Sequence, residues 1–325
     1  MDTWQVVLTA PRGVSRSFDD TDIAEWIAEL ERRVQAGDMA ATTATTYKQG
    51  VKVFRQYAIE HPGDRVGPAL IRGWKAAMLK AGRKPQGVNI LYAGVKHLFR
   101  WAMADNRIAY DPTRDTEGVK RSTVSRKHKR EALTDNEVLA VLAQPDISTR
   151  EGLRDRAMLM LMAYTGARSV EVQRATIKDL HSNGKTKLDI YGKGHTEPDD
   201  TLYLVNQGLI DAMTAWIKVH PRRYDLDAPL FCSLGNRNMG GPLDMSTIRR
   251  MVKGYYTMAG VLDPRKTTHS LRHSLVSNLI RRGVPPTKIM TVTRHKSIDT
   301  LLVYAHEVDR DTDPAEGYVD YGKTD

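Results

Sequence analysis

Apolar residues recur at helical spacing through the first third of the chain. Tyr47, Val51, Phe54 and Ala58 stand at i, i+4, i+7 and i+11, which lines them up as one stripe of an amphipathic helix. The same period predicts helices over 20–35, 44–60, 68–81 and 86–105, and so an all-α first domain. Beside the Tyr47 stripe lie Lys48, Lys52 and Arg55, and Arg83, Lys84, Gln86 and Asn89 mark the start of the fourth helix. Cationic and polar groups so placed suit phosphates or base edges, and suit equally well an ordinary solvated face.

The pattern changes after Asp111. Residues 112–131 hold almost no apolar side chain but carry Lys120, Arg121, Arg126, Lys127, Lys129 and Arg130. The segment reads as a basic interdomain linker, either a passive tether or a cationic strap on a phosphate backbone. Beyond it, a helix is expected from Thr134 and a buried one over 150–165, where Ala157-Met-Leu-Met-Leu-Met-Ala-Tyr164 is apolar on every side. Alternating segments over 175–180, 187–191 and 201–205, divided by turns at Ser182-Asn-Gly-Lys185 and Gly192-Lys-Gly194, predict a small antiparallel sheet. Helices resume from Gln207. Three strands cannot build a doubly wound sheet. The expected fold is mainly α, with two domains: helical 1–111, and a mixed α/β domain over 132–309 followed by a tail over 310–325.

Composition sharpens this picture in two ways. An excess of 49 Lys and Arg over 39 Asp and Glu in 325 residues gives a net charge of +10, which favours an anionic partner. One cysteine, Cys232, excludes an internal disulfide framework and a cysteine zinc site. The first residues lack the basic-then-apolar pattern of a signal peptide and no apolar run reaches the ~20 residues of a membrane span, so a cytoplasmic, nucleoid-associated protein without membrane partners is expected.

Three clusters carry possible chemistry. Arg168, in Thr165-Gly-Ala-Arg-Ser-Val-Glu171, follows an apolar helix at a glycine turn and is placed to offer a planar, bidentate guanidinium to an anion. In Thr267-Thr-His-Ser-Leu-Arg-His273, His269 and Arg272 share a helical face. His269 and His273 also stand at the spacing of a zinc pair, but with neither the expected Glu nor a cysteine nearby no metal is expected. Arg294-His-Lys-Ser-Ile-Asp-Thr-Leu-Leu-Val-Tyr304 closes the series. Between the first two clusters Lys193 sits in Gly-Lys-Gly, at a turn that suits a mobile general acid. Nothing completes a nucleotide-binding loop. Each residue alone is also explained by a surface ion pair or a satisfied core tyrosine.

Together, Arg168, Lys193, His269, Arg272, His295 and Tyr304 resemble, in type, order and spacing, the catalytic set of the tyrosine recombinase (phage integrase, Xer-like) family. Over 133–308 the resemblance rests on motifs; the helical first domain is similar to the family's SAM-like core-binding domain in architecture only. One departure is Arg294, where the family commonly has glycine before the second histidine. The resemblance implies Tyr304 as nucleophile, a 3′-phosphotyrosyl intermediate, no cofactor, double-stranded DNA as partner and a homotetramer with a dimer at each site.

The chemistry fits that set. Two arginines, Arg168 and Arg272, would stabilise charge on the non-bridging oxygens. A phenol, with an ordinary pKa of about 10, must lose its proton to attack, which assigns the base to His269 and support of a phosphoryl oxygen to His295. Lys193 would protonate the leaving 5′ oxygen, and Glu171 would orient its neighbours. The rivals are a type IB topoisomerase, an inactive DNA-binding regulator of the same fold, and a module for membrane surfaces or acidic proteins, which leaves the ordered set unexplained. The short stretch before Asp20 suggests no extra arm-binding domain, and Tyr318, Val319 and Tyr321 suggest that the tail docks on a neighbouring protomer.

Overall fold

The computed structural model describes residues 18–61, 66–120, 132–192, 197–294, 297–298, 301 and 304. The chain divides into two compact units, Met1–Val124 and Ser125–Asp325.

Among the described residues the first unit holds four helices: α1 (Asp20–Gln35), α2 (Ala41–Ile59), α3 (Pro68–Lys80) and α4 (Pro85–Ala104). Asp19 caps α1 by accepting from the Thr21 amide, while Pro68 and Pro85 open α3 and α4, where a missing amide proton costs nothing. The core is aromatic, with Phe54 set edge-on against Trp74 at 5.1 Å and Phe99 at 6.0 Å. Helices α2 and α4 cross so closely that a Cβ at Gly50 would collide with the Leu91 carbonyl, and one at Gly94 with the Tyr47 backbone.

The front of the expected linker belongs to this unit. Asp111, Thr113 and Thr116 are buried, the Tyr92 hydroxyl bonds the Thr116 carbonyl at 2.8 Å, and the Asn89 amide pairs with both the N–H and the C=O of Val119 at 2.7 and 3.0 Å. Asn89 thus ties down chain rather than presenting an open polar edge.

The second unit is built on α6 (Arg150–Thr165), whose residues 157–163 are buried throughout. Around it lie α5 (Asp135–Leu142), α7 (Ser169–Arg174), α8 (Gln207–Val219), α9 (Met245–Met258), α10 (Thr268–Arg281) and α11 (Pro286–Thr293). Strands β1 (Leu180–His181), β2 (Lys187–Ile190) and β3 (Asp200–Tyr203) form an antiparallel sheet in sequence order, with Leu188 opposite Leu202 and both buried. The strand expected over 175–180 is instead a 3₁₀ turn at Ile177–Asp179 leading into a two-residue strand. The Asp179 carboxylate accepts from the Thr176 amide and hydroxyl, both at 2.7 Å, and this local closure bends the chain out of extension.

Candidate active site

The site is organised around the end of α6. Gly166 takes the left-handed conformation, φ +64°, that ends a helix and that glycine adopts without strain. Two residues later Arg168 stands at the N-cap of α7. Its amide donates to Glu171 Oε2 at 2.8 Å and its guanidinium to Oε1 at 2.7 Å, so one carboxylate fixes both backbone and side chain.

Arg272 reaches the same turn from α10. Nη1 donates to the Gly166 carbonyl at 2.8 Å and Nη2 to the Thr293 carbonyl. Burial, reinforced by the positive charges of Arg168 and Arg294, brings its pKa down to about 10. It keeps its charge at neutral pH, but at a cost that a bound anion would offset.

Arg294 supplies a third guanidinium. It ends α11 at φ +57°, donates to Glu171 Oε2 at 2.7 Å, and has its pKa lowered first by burial. Arg168 and Arg294 pair with one buried carboxylate, Glu171, Arg272 also feels its charge, and Asp200 lies 3.9 Å from Arg294; the excess of positive charge around Glu171 suits an anion. The glycine expected here by resemblance is a conformational requirement, which Arg294 meets at the price of strain.

Tyr304 is buried at 4% exposure among Val276, Ile289 and Leu301. Its hydroxyl is hydrogen-bonded to Nδ1 of His273 at 2.5 Å. The sequence pattern marks His273 only as half of a zinc pair that nothing else supports; its position directly after Arg272 and one turn beyond His269 was the available signal. His269 lies in the first turn of α10, half-buried. Among the described residues no group of three or more His, Cys, Asp or Glu could hold a metal ion.

Lys193 and His295 lie outside the described residues, as do Arg121, Arg126, Lys127, Lys129, Arg130 and the tail over 310–325. The base of the loop carrying Lys193 is described: the Asp199 amide donates to the Ile190 carbonyl at 3.1 Å, and Arg174 holds the Gly192 carbonyl at 2.9 Å. In the first unit Lys52, Arg83, Lys84 and Lys120 are exposed. Lys48 pairs with Glu31 at 3.2 Å, and Arg55 holds both oxygens of Asp20 at 2.7 and 2.6 Å.

Residues 131–310, more than half of the chain, match the phage integrase family. The chain therefore belongs to that family, and as such is a site-specific tyrosine recombinase. Tyrosine recombinase XerD of Staphylococcus aureus is 24% identical over 293 residues, covering 88% of this chain and 94% of that protein. Tyrosine recombinase XerC 2 of Ralstonia nicotianae is 28% identical over 237 residues, 69% of this chain and 64% of that protein's length. The fold is shared with the XerH site-specific recombinase in its post-cleavage complex on a palindromic difH substrate, at TM-score 0.67 and 18% identity over 87% of this chain and 82% of that one. It is shared also with a lambda integrase tetramer on a Holliday junction, at TM-score 0.65 and 15% identity over 90% and 79%. No helix among the described residues is long and apolar enough to cross a membrane.

Proposed function

We propose that this chain cuts and rejoins double-stranded DNA at a specific site by attack of Tyr304 on a phosphodiester, leaving a 3′-phosphotyrosyl link and a free 5′-hydroxyl. The observation that carries the reading is the pair Arg168 and Arg272, fixed around Gly166 and Glu171 with a net positive charge, Arg272 being electrostatically coupled to Tyr304. Two held guanidiniums stabilise charge that grows on the non-bridging oxygens, without reorganising as it grows. His269 exchanges protons beside them, His295 supports a phosphoryl oxygen, and Lys193 protonates the leaving 5′ oxygen. The ester energy stays in the covalent link, so neither ATP nor a metal is required.

Under this reading residues 1–111, with the front of the 112–131 segment packed against them, grip the core of the site, the rest of that segment straps the DNA backbone, 132–309 catalyse, and 310–325 reach a neighbouring protomer. Four copies, a dimer on each site, work on DNA of the nucleoid. Support comes from the solved lambda integrase dimer on a core site and tetramer on a Holliday junction, and from XerH on its substrate.

The test is Tyr304→Phe on a nicked substrate recovered from the native genomic surroundings. The ring remains, so binding should stay within a few-fold, while the covalent adduct disappears. A persisting adduct would overturn the assignment.

A further inference from the structure

A buried phenol has no bulk water to take its proton, so its acceptor must already be in contact. Tyr304 is packed among Val276, Ile289 and Leu301, and Nδ1 of His273 is in hydrogen-bonding contact with its hydroxyl. If the phenol donates, the lone pair on Nδ1 points at Oη and the ring proton sits on Nε2. The arrangement is that of an acid facing its base. Arg272, the preceding residue, is attracted to the negative form of Tyr304. The other charged groups coupled to Arg272 are Arg168 and Arg294, both positive, and Glu171, which they screen.

We propose that His273 is a catalytic residue of this recombinase, the immediate acceptor of the Tyr304 proton. The inference rests on Tyr304 being the nucleophile and deepens that reading. In the forward step the Oη–H bond breaks and its proton passes to Nδ1, giving an imidazolium. The freed electron pair forms the new O–P bond as the P–O5′ bond breaks, and the 5′ oxygen leaves with a proton from Lys193. On rejoining, the 5′-hydroxyl attacks, Lys193 recovers its proton, and His273 returns its own to the departing phenolate. His269, four residues earlier on the same helical face, then serves the phosphate oxygens, so that two histidines divide the work otherwise given to one.

Fluorinated tyrosine at position 304 separates a base from a mere neighbour, because its phenol is already largely ionised near neutral pH. The full-length protein is assayed for single-turnover cleavage of a nicked site, with His273→Asn and His273→Gln. The amide of Asn falls where Nδ1 was and accepts the hydrogen bond but not the proton; Gln gives a second variant should Asn disturb folding, with DNA affinity as the check on both. With ordinary tyrosine, each variant should be slower by about 10²–10⁴-fold, the range of a lost general base, and fluorination should shrink the defect to about tenfold or less. A wild-type rate in His273→Asn would reduce His273 to a hydrogen-bond partner, and a defect undiminished by fluorination would remove it from proton transfer. Failure of the unsubstituted protein to form an adduct at residue 304 with either phenol would instead sink Tyr304 as nucleophile.

Discussion

Arg294 and Glu171 form an ion pair of 2.7 Å in which both side chains are almost wholly shielded, at 8% and 2% exposure. The pair accounts for an arginine in a left-handed backbone position, where a side chain costs roughly 1–2 kcal/mol relative to glycine. Glu171 is thereby held from two sides, by Arg168 and Arg294, and its orientation determines that of Arg168.

Arg294→Gly should relieve the backbone strain yet leave Glu171 with one partner fewer in a buried setting. Breaking a buried pair costs about 3–5 kcal/mol, more than the strain returns, so a net loss of about 2 kcal/mol is expected. Denaturant unfolding of the full-length protein reads the stability and single-turnover cleavage reads the rate, and both should fall. A more stable variant would mean that strain dominates and the pair contributes little.

Lys193→Ala should slow cleavage of ordinary DNA strongly and much less when the bridging 5′ oxygen is replaced by sulfur, which leaves unprotonated. Equal slowing on both substrates would make Lys193 a phosphate ligand and not an acid. EDTA should change neither rate.

Neutralising Lys52, Arg83 or Lys84 should flatten the dependence of log affinity on log salt by roughly 0.9 for each phosphate charge that the side chain had neutralised. Arg55 should behave differently, since its two hydrogen bonds to Asp20 already engage its charge within the chain. Arg55→Gln is expected to leave the slope almost unchanged. A full unit of slope missing there would show that the pair opens on DNA.

His97 gives the first unit a pH dependence. Trp26 donates to its Nδ1 at 3.0 Å, and burial, then the nearby Arg33 charge, lowers its pKa. The unfolded chain therefore takes up this proton first. The stability contributed is complete above the unfolded value of about 6.5 and is lost as the pH falls through the folded one. Denaturation midpoints at pH 7.5 and 5.5 should differ less in His97→Gln than in the unsubstituted protein; an equal difference would assign the effect to other groups.

The helices were legible because their apolar patterns are local: 20–35 is written in its period and 150–165 in an unbroken apolar run. The Ile177–Asp179 turn was not, because its alternation mimics a strand and only the Asp179 side chain, folding back on Thr176, decides otherwise. The identities in the site were legible by order alone. Its geometry was not, since the contact between His273 and Tyr304 joins positions 31 apart and depends on how Tyr304 lands on α10.

Cys232 lies in the core of the second unit, fully buried, with its thiol pKa raised by that burial. As the chain has no other cysteine, thiol alkylation becomes a clock for the opening of one unit, blind to the other. Its rate, followed on free protein and on protein bound to its site, would measure how much DNA slows the breathing of the catalytic core while the helical unit stays silent.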